Sequence, residues 1–384
     1  MQFIDLHAQR ARIASEVDAA IAKVLSHGMY VMGPEVREFE AQLASFSGAK
    51  HALGCANGTE ALALPLMAWN IQPGDAVFGP SFTFCATAEV IPWLGATPVF
   101  VDILPDTFNI DPAHLERAIE AVKAEGKLTP KVIIAVDLFG QSADYPKIKE
   151  IADRHGLKLI ADSAQGFGTT INDQHPSNFV DVATTSFFPA KPLGCYGDGG
   201  AVVTNDDQLA EIIDSIRVHG KVTKSDLAGV EFEHDPKYFN MRIGMNSRLD
   251  TIQAAILIEK LNIFADEIVL RNKVAARYAE GLKDHVSAVP AVMDGVVSTW
   301  AQYVIEHENR DGLQAHLKAA GVPSAVYYPV PMHVNGAYQN FPQGPDGLPV
   351  TEAKAATVLA LPMHPYLSEV EQDQVIEAVR SFNG

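Results

Sequence analysis

The chain predicts an α/β protein in two parts: a large, mainly parallel sheet with helices on both faces, then a smaller α/β unit. Three observations carry this expectation. Between residues 51 and 204, short β-prone apolar runs alternate with stretches of helical periodicity, the rhythm of strand–helix–strand crossovers. Some of those runs, 132–136 and 157–161 among them, are apolar at nearly every position, as strands covered on both faces are. Finally, 384 residues, 47% hydrophobic and 20% charged, suit one large soluble domain plus a smaller one. The divisions fall at 1–30 for an N-terminal segment, 31–255 for the large domain, and 256–384 for a linking helix and the small domain.

Each element has its own signal. Ile13, Val17, Ala20, Ile21 and Val24 recur at helical spacing over 11–27, and Gly28 is placed to close that helix. Pro34 opens a second helix with Val36, Phe39 and Leu43 on one face, ending near Gly48. Residues 51–56 read as a strand, and the turn Asn57-Gly58-Thr59-Glu60 opens a helix carrying Ala61, Leu62, Leu64 and Leu66. Strands follow at 76–79, 97–101, 132–136, 157–161 and 182–186, with helices at 115–122 and 145–154. Residues 200–204 form a further strand, read as antiparallel. Residues 220–242 are polar, of mixed charge and contain Pro236, which predicts a long excursion loop of the kind found at functional sites or interfaces. Helical spacing resumes from Arg248 with Ile252, Ala255, Ile256 and Ile258, and extends through Arg277 as the link between domains. The small unit reads as a strand at 300–306, a helix at 312–320, a strand at 325–328 and a final helix from Glu369.

Composition narrows the partners. A net charge of −18 disfavours nucleic acid and anionic membrane surfaces. No apolar stretch reaches membrane-spanning length, and the first residues carry neither a basic region nor a long apolar run. Cys55, Cys85 and Cys195 have no metal-ligand spacing and read as reduced thiols, so a cytoplasmic location is expected. Asp137 and Asp144 have no metal-ligand neighbours, and His219 reads as readily as a structural histidine as a substrate contact.

The chemistry gathers at strand ends. Lys191 stands between Pro189 and Pro192, after Phe187 and Phe188, where a lysine is fixed in position and desolvated. Such an amine suits covalent chemistry with a carbonyl. Asp162 and Gln165 follow one strand, Phe84 another, and Gly58 with Thr59 a third, all where ligands bind beyond the carboxyl ends of an open sheet. Each has a plainer reading: a snorkelling lysine, a structural ion pair, a core phenylalanine, an ordinary helix cap. Together they match pyridoxal 5′-phosphate. Its aldehyde needs the lysine, its pyridine nitrogen a carboxylate, its phosphate a helix N-terminus with hydroxyls (Gly58, Thr59, Ser186), its ring a flat neighbour (Phe84), and its ring hydroxyl a donor (Gln165).

These residues lie in longer stretches with a familiar look: Gly33-Pro34-Glu35-Val36, Ala56 to Leu62, Pro80 to Phe84, Asp162 to Gln165, Ser186 to Lys191, Asn246-Ser247-Arg248-Leu249-Asp250, Tyr328-Pro329 and Leu361 to Pro365. The chain resembles the DegT family of sugar aminotransferases. That resemblance implies a fold-type-I architecture with a seven-stranded sheet, Lys191 as the Schiff-base lysine, Asp162 on the pyridine nitrogen, and Asn246 reaching the cofactor phosphate of a partner subunit in a homodimer with shared active sites. The run from Phe187 to Gly200 looks most like enzymes that aminate UDP-2-acetamido-2-deoxy-3-oxo-glucuronate with glutamate, for surface-polysaccharide precursors. On that likeness Arg248 faces a carboxylate and Tyr327 lies near the substrate mouth; His333, in a loop, reads as a substrate contact or, as readily, as a surface or structural histidine. Tyr327 stands where those enzymes tend to have histidine. The expected reaction moves an amino group from glutamate, leaving 2-oxoglutarate, to a keto-sugar nucleotide. The alternatives are transamination of small diamines or polyamines, and a regulatory protein that has lost catalysis.

Overall fold

The computed structural model describes residues 1–227 and 238–383. Helices α1 (Leu6–Arg12), α2 (Ala14–His27) and α3 (Pro34–Ser47) precede strand β1 (His51–Cys55). Helix α4 (Gly58–Ala68), β2 (Asp75–Pro80), α5 (Ala86–Trp93), β3 (Thr97–Val101), α6 (Pro112–Glu125), β4 (Thr129–Val136), α7 (Tyr145–His155) and β5 (Lys158–Asp162) then alternate. After the short β6 (Thr170–Ile171) come β7 (Val182–Ser186), β8 (Gly200–Thr204), α8 (Asp207–Ile216) and α9 (Lys224–Leu227). The long α10 (Thr251–Leu282) leads to β9 (Val296–Val297), β10 (Tyr303–Glu306), α11 (Arg310–Ala319), α12 (Pro349–Thr357), β11 (Val358–Leu361) and α13 (Glu369–Arg380).

The main sheet has seven strands in the order β1-β8-β7-β5-β4-β2-β3, and only β8 runs against the rest. Alternation within one strand explains its two covered faces. Ile133 and Ala135 of β4 enter the core with Phe39, Leu43, Leu115, Ile119 and Ile148, whereas Val132 and Ile134 pack with Leu62, Leu66, Val90 and Ile91. The parallel strands therefore point their carboxyl ends the same way, and the loops after β1, β2, β5 and β7 open on one edge. A second core forms where the later turns of α10 (Val274, Tyr278, Leu282) meet Tyr303, Ile305, Leu313, Leu317, Leu359, Leu361, Val375 and Val379.

Two expectations needed correction, and one helix was not anticipated. The helix over 11–27 is broken at Ile13, whose φ of −126° leaves the helical region and separates α1 from α2. The strand expected at 325–328 is a single bridge from Ala325 to Ala360, and the true partner of β10 is β11. Pro323, Pro329 and Pro331 crowd that segment, and proline has no N–H for a ladder. Helix α8 was missed although Asp206 caps it, accepting from the N–H groups of Gln208 and Leu209. Of the excursion at 220–242, the base is described: Lys221 bridges Asn240, and both oxygens of Asp226 accept from Arg242 Nη2 at 2.7 and 2.8 Å. Residues 228–237 of that loop lie outside the described residues.

Candidate active site

The strand ends and the start of α4 enclose a cleft of about 510 Å³. Its floor begins at Asn57, whose side chain accepts from the Glu60 N–H at 2.8 Å and sets the first turn of α4. The N–H groups of Gly58 and Thr59, first in that helix, have no carbonyl one turn earlier and face an anion-favouring field. Gly58 must be glycine for a local reason. A Cβ there would lie 2.5 Å from Cβ of Ser186 at the end of β7, so the bare backbone brings the helix start and the serine together.

Asp162 ends β5 and is 5% exposed. Its Oδ2 accepts from Thr87 Oγ1 at 2.8 Å, and Oδ1 from the Ala164 N–H at 3.2 Å. Burial raises its pKa, opposed by those two donors and by the charge of Lys191. Lys191 lines the same cleft, and its side-chain amine makes no hydrogen bond or ion pair with the described residues. Desolvation lowers its pKa, with Asp162 pulling the other way. A cation set against Asp162 would restore the carboxylate, because an opposite charge favours the ionised form. Gln165 is fixed at both ends: Oε1 accepts from the Phe139 N–H, and Nε2 donates to Tyr328 Oη, each at 3.0 Å. Phe139 reaches it from a left-handed conformation, φ 59°. Phe84, half-exposed, forms part of the wall, 6.5 Å from the Tyr328 ring.

Eight of the expected site residues thus line one cleft: Gly58, Thr59, Phe84, Asp162, Gln165, Ser186, Lys191 and Tyr327. Tyr327 packs against Phe3 and Tyr328, at 6.4 and 5.8 Å between rings. Three expected residues are not among those lining it. His333 is held between Ser81 Oγ at 2.7 Å and Glu352 Oε1 at 3.1 Å. Asn246 is exposed and bridges Val218, and Arg248 is half-buried with no partner among the described residues. Sequence reasoning assigned no role to Thr87 or Tyr328, although Tyr328 sits in a stretch it singled out.

The matched family model spans residues 11–380 and describes DegT/DnrJ/EryC1/StrS aminotransferases. The chain belongs to this family. The UDP-2-acetamido-2-deoxy-3-oxo-D-glucuronate aminotransferase of Pseudomonas aeruginosa is 48% identical to it over 369 residues, 96% of each chain. A solved DegT DnrJ EryC1 StrS aminotransferase from Brucella abortus is 53% identical, covers all of both chains and superposes with a TM-score of 0.95. NtdA from Bacillus subtilis, solved with bound cofactor PMP, is 28% identical, with a TM-score of 0.82 over 98% of this chain and 82% of that one.

The cleft of this aminotransferase fits such a cofactor on its own geometry. A free amine, a buried carboxylate, a helix start with unbonded N–H groups beside a serine, and an exposed aromatic face stand around one volume.

Proposed function

We propose that the chain is a sugar-nucleotide aminotransferase using pyridoxal 5′-phosphate, with glutamate as donor and a UDP-linked 3-oxo sugar, a uronate, as acceptor. The observation that carries it is the unpaired Lys191 facing the buried Asp162 across a cleft that opens at the start of α4. The 48% identity to the Pseudomonas aeruginosa enzyme over nearly the whole chain supports the acceptor.

Bound, the cofactor supplies an electron sink for the carbanion formed at the donor Cα. Gly58, Thr59 and Ser186 would hold its phosphate, Phe84 would cover its ring, and Gln165 would bond its ring hydroxyl. Asp162 would keep the ring nitrogen protonated, with Thr87 orienting the carboxylate. Lys191 would hold the aldehyde carbon until the donor amine displaces it. The freed amine would take the proton from the donor Cα on the face it occupies and, in the second half, would deliver one to the carbon that was the acceptor's carbonyl. A single base serves both halves because the lowered pKa of Lys191 keeps its amine available as an acceptor of protons.

The protein acts as a homodimer on this reading. Asn246 lies outside its own cleft, and Met29, Tyr30, Val31, Met241 and Ile243 are all exposed apolar residues, near it in sequence or on the segment bridged to Asp250. Arg248, on the same segment, is free to pair bidentately with a carboxylate of glutamate or of the uronate. Three free cysteines suit a cytoplasmic setting. The intact Lys191, Asp162 and Gln165 speak against a protein without catalysis, and the nucleotide-sugar relative speaks against a small-diamine enzyme.

The test is to add glutamate to the yellow holoenzyme and then the UDP-linked 3-oxo-uronate. Bleaching by glutamate and recovery with the keto sugar support the proposal. Bleaching by diamines alone, or none with any donor, overturns it.

A further inference from the structure

The segment from Phe187 to Gly199 leaves β7, carries Lys191 and returns to β8 as a closed loop. Its neck is tied by the Phe187 N–H on the Gly199 carbonyl and the Cys195 N–H on the Phe187 carbonyl, both 2.7 Å. Within it Pro189 and Pro192 have no N–H to give, and Lys191 makes one backbone bond, to Phe188 O at 2.9 Å. Gly194 folds so tightly that a Cβ there would lie 2.6 Å from the carbonyl oxygens of Phe188 and Pro189. The loop is therefore compact but weakly bonded within itself around the lysine.

Helix α10 supplies the missing hold. Gln253 and Lys260 stand seven residues apart, two turns, and so share a face. Gln253 Oε1 accepts from the Tyr196 N–H at 2.9 Å. Lys260, 1% exposed, donates from Nζ to the Gly194 carbonyl at 2.6 Å, and its Nζ lies 4.4 Å from the centre of the Tyr196 ring. Burial pushes its pKa down to about 8, against the opposing charge of Glu267. Burying an ammonium costs several kcal/mol unless it is bonded, and a methionine of similar length would fill the same space without that cost.

We propose that Lys260 is a positioning residue for Lys191: its ammonium clamps the Gly194 carbonyl and the Tyr196 ring, fixing the loop that presents the Lys191 amine to the cleft. This rests on the proposed role of Lys191 as the covalent base. The clamp also joins the site to the helix that runs on into the second core, so the loop and the small unit share one rigid support.

The variants are Lys260→Met, Lys260→Arg and Tyr196→Leu in the full-length holoenzyme, with Lys191→Ala as control. The readouts are the pH midpoint of the visible cofactor band, the rate of borohydride fixation at residue 191 by mass spectrometry, and kcat against KM. Lys260→Met is expected to shift the midpoint, slow fixation and lower kcat by roughly 10- to 100-fold with KM within about twofold, the scale of a 1 Å misplacement. Lys260→Arg, which keeps the charge and the ring contact, should recover most of this. Tyr196→Leu should move the same readouts in the same direction by roughly 3- to 10-fold. Lys260→Met lowering only the melting temperature, with band, fixation and kcat as in the wild type, overturns the proposal. Should that variant not fold, an unchanged band and kcat in Tyr196→Leu overturns it instead. If Lys191→Ala keeps a wild-type band and fixation, the reading of Lys191 itself fails, which separates the two outcomes.

Discussion

Gly58→Ala gives the sharpest test of how the cleft holds a phosphate. The added Cβ would sit 2.5 Å from Cβ and 3.0 Å from Oγ of Ser186. Carbon atoms in contact prefer about 3.5–4.0 Å, so the start of α4 and the end of β7 must part by about 1 Å. A charge-assisted N–H···O bond is about 2.7–2.9 Å long, and opening it by that amount removes it. One such bond is worth about 1.5–3 kcal/mol, which at about 1.4 kcal/mol per tenfold predicts a roughly 10- to 150-fold loss of affinity for pyridoxal 5′-phosphate. The overpacking itself should cost about 1–3 kcal/mol of stability. The assay is titration of the apoprotein by visible absorbance, run in parallel with pyridoxal, which lacks the phosphate. Affinity for pyridoxal should stay near wild type. If both ligands lose affinity equally, the substitution has collapsed the cleft and the cradle argument is wrong; if neither does, the two elements are not held as close as 2.5 Å.

Other substitutions probe the rest of the site. Lys191→Ala removes the only proton acceptor assigned to the donor Cα, so kcat should fall by about 10²- to 10⁴-fold, and borohydride should no longer fix the cofactor to the chain; a wild-type rate refutes the assignment. Arg248→Ala should raise KM for the carboxylate-bearing substrate by roughly 10-fold or more, the scale of a lost charged hydrogen bond, while the native mass stays at twice 41.4 kDa; an unchanged KM removes Arg248 from substrate binding, and a monomeric mass removes the shared-site reading. Asp137 gives a pH test. It is fully buried, accepts from Tyr145 Oη and Ser163 Oγ and from the Ala143 N–H, and burial pushes its pKa up to about 7. Because the folded value is raised, the fold favours the neutral acid. Its stabilisation is complete below about pH 4 and is lost as pH rises through 7. Asn fits the same donors, since the Ser163 hydroxyl can turn to accept. Denaturant melts from pH 4 to 8 should show the wild type losing ground to Asp137→Asn by up to about 4 kcal/mol, and parallel profiles sink the reasoning.

The pieces of this site that sequence exposes are those whose chemistry demands a residue type at a strand end. Lys191 and Asp162 were legible because a parallel sheet sends such ends to one edge, and the strands that carry them, β5 and β7, are hydrogen-bonded neighbours. Thr87 and Tyr328 were not, because their roles exist only through bonds to residues 75 and 163 positions away. A threonine in an apolar helix start and a tyrosine before a proline have ordinary local explanations. The same proline-rich stretch misled the strand assignment: the run Ala325-Val326-Tyr327-Tyr328 is β-prone in composition, but Tyr327 and Tyr328 line the cleft instead of continuing a ladder. Helix α8, by contrast, carried its capping aspartate and an apolar face in plain view.

Lys260 falls between these cases. A lysine within the apolar run of α10 is an anomaly that periodicity does reveal, since Leu257 and Phe264 on either side of it are fully buried. Its partner is a carbonyl 66 residues earlier in the chain, and backbone carbonyls leave no mark in sequence. The general consequence is physical: side chains that hold a ligand are selected by type and can be read, whereas side chains that hold those residues in place bond to distant parts of the chain, as Thr87 does to Asp162 and Lys260 to the Gly194 carbonyl, and are visible only once the chain is folded.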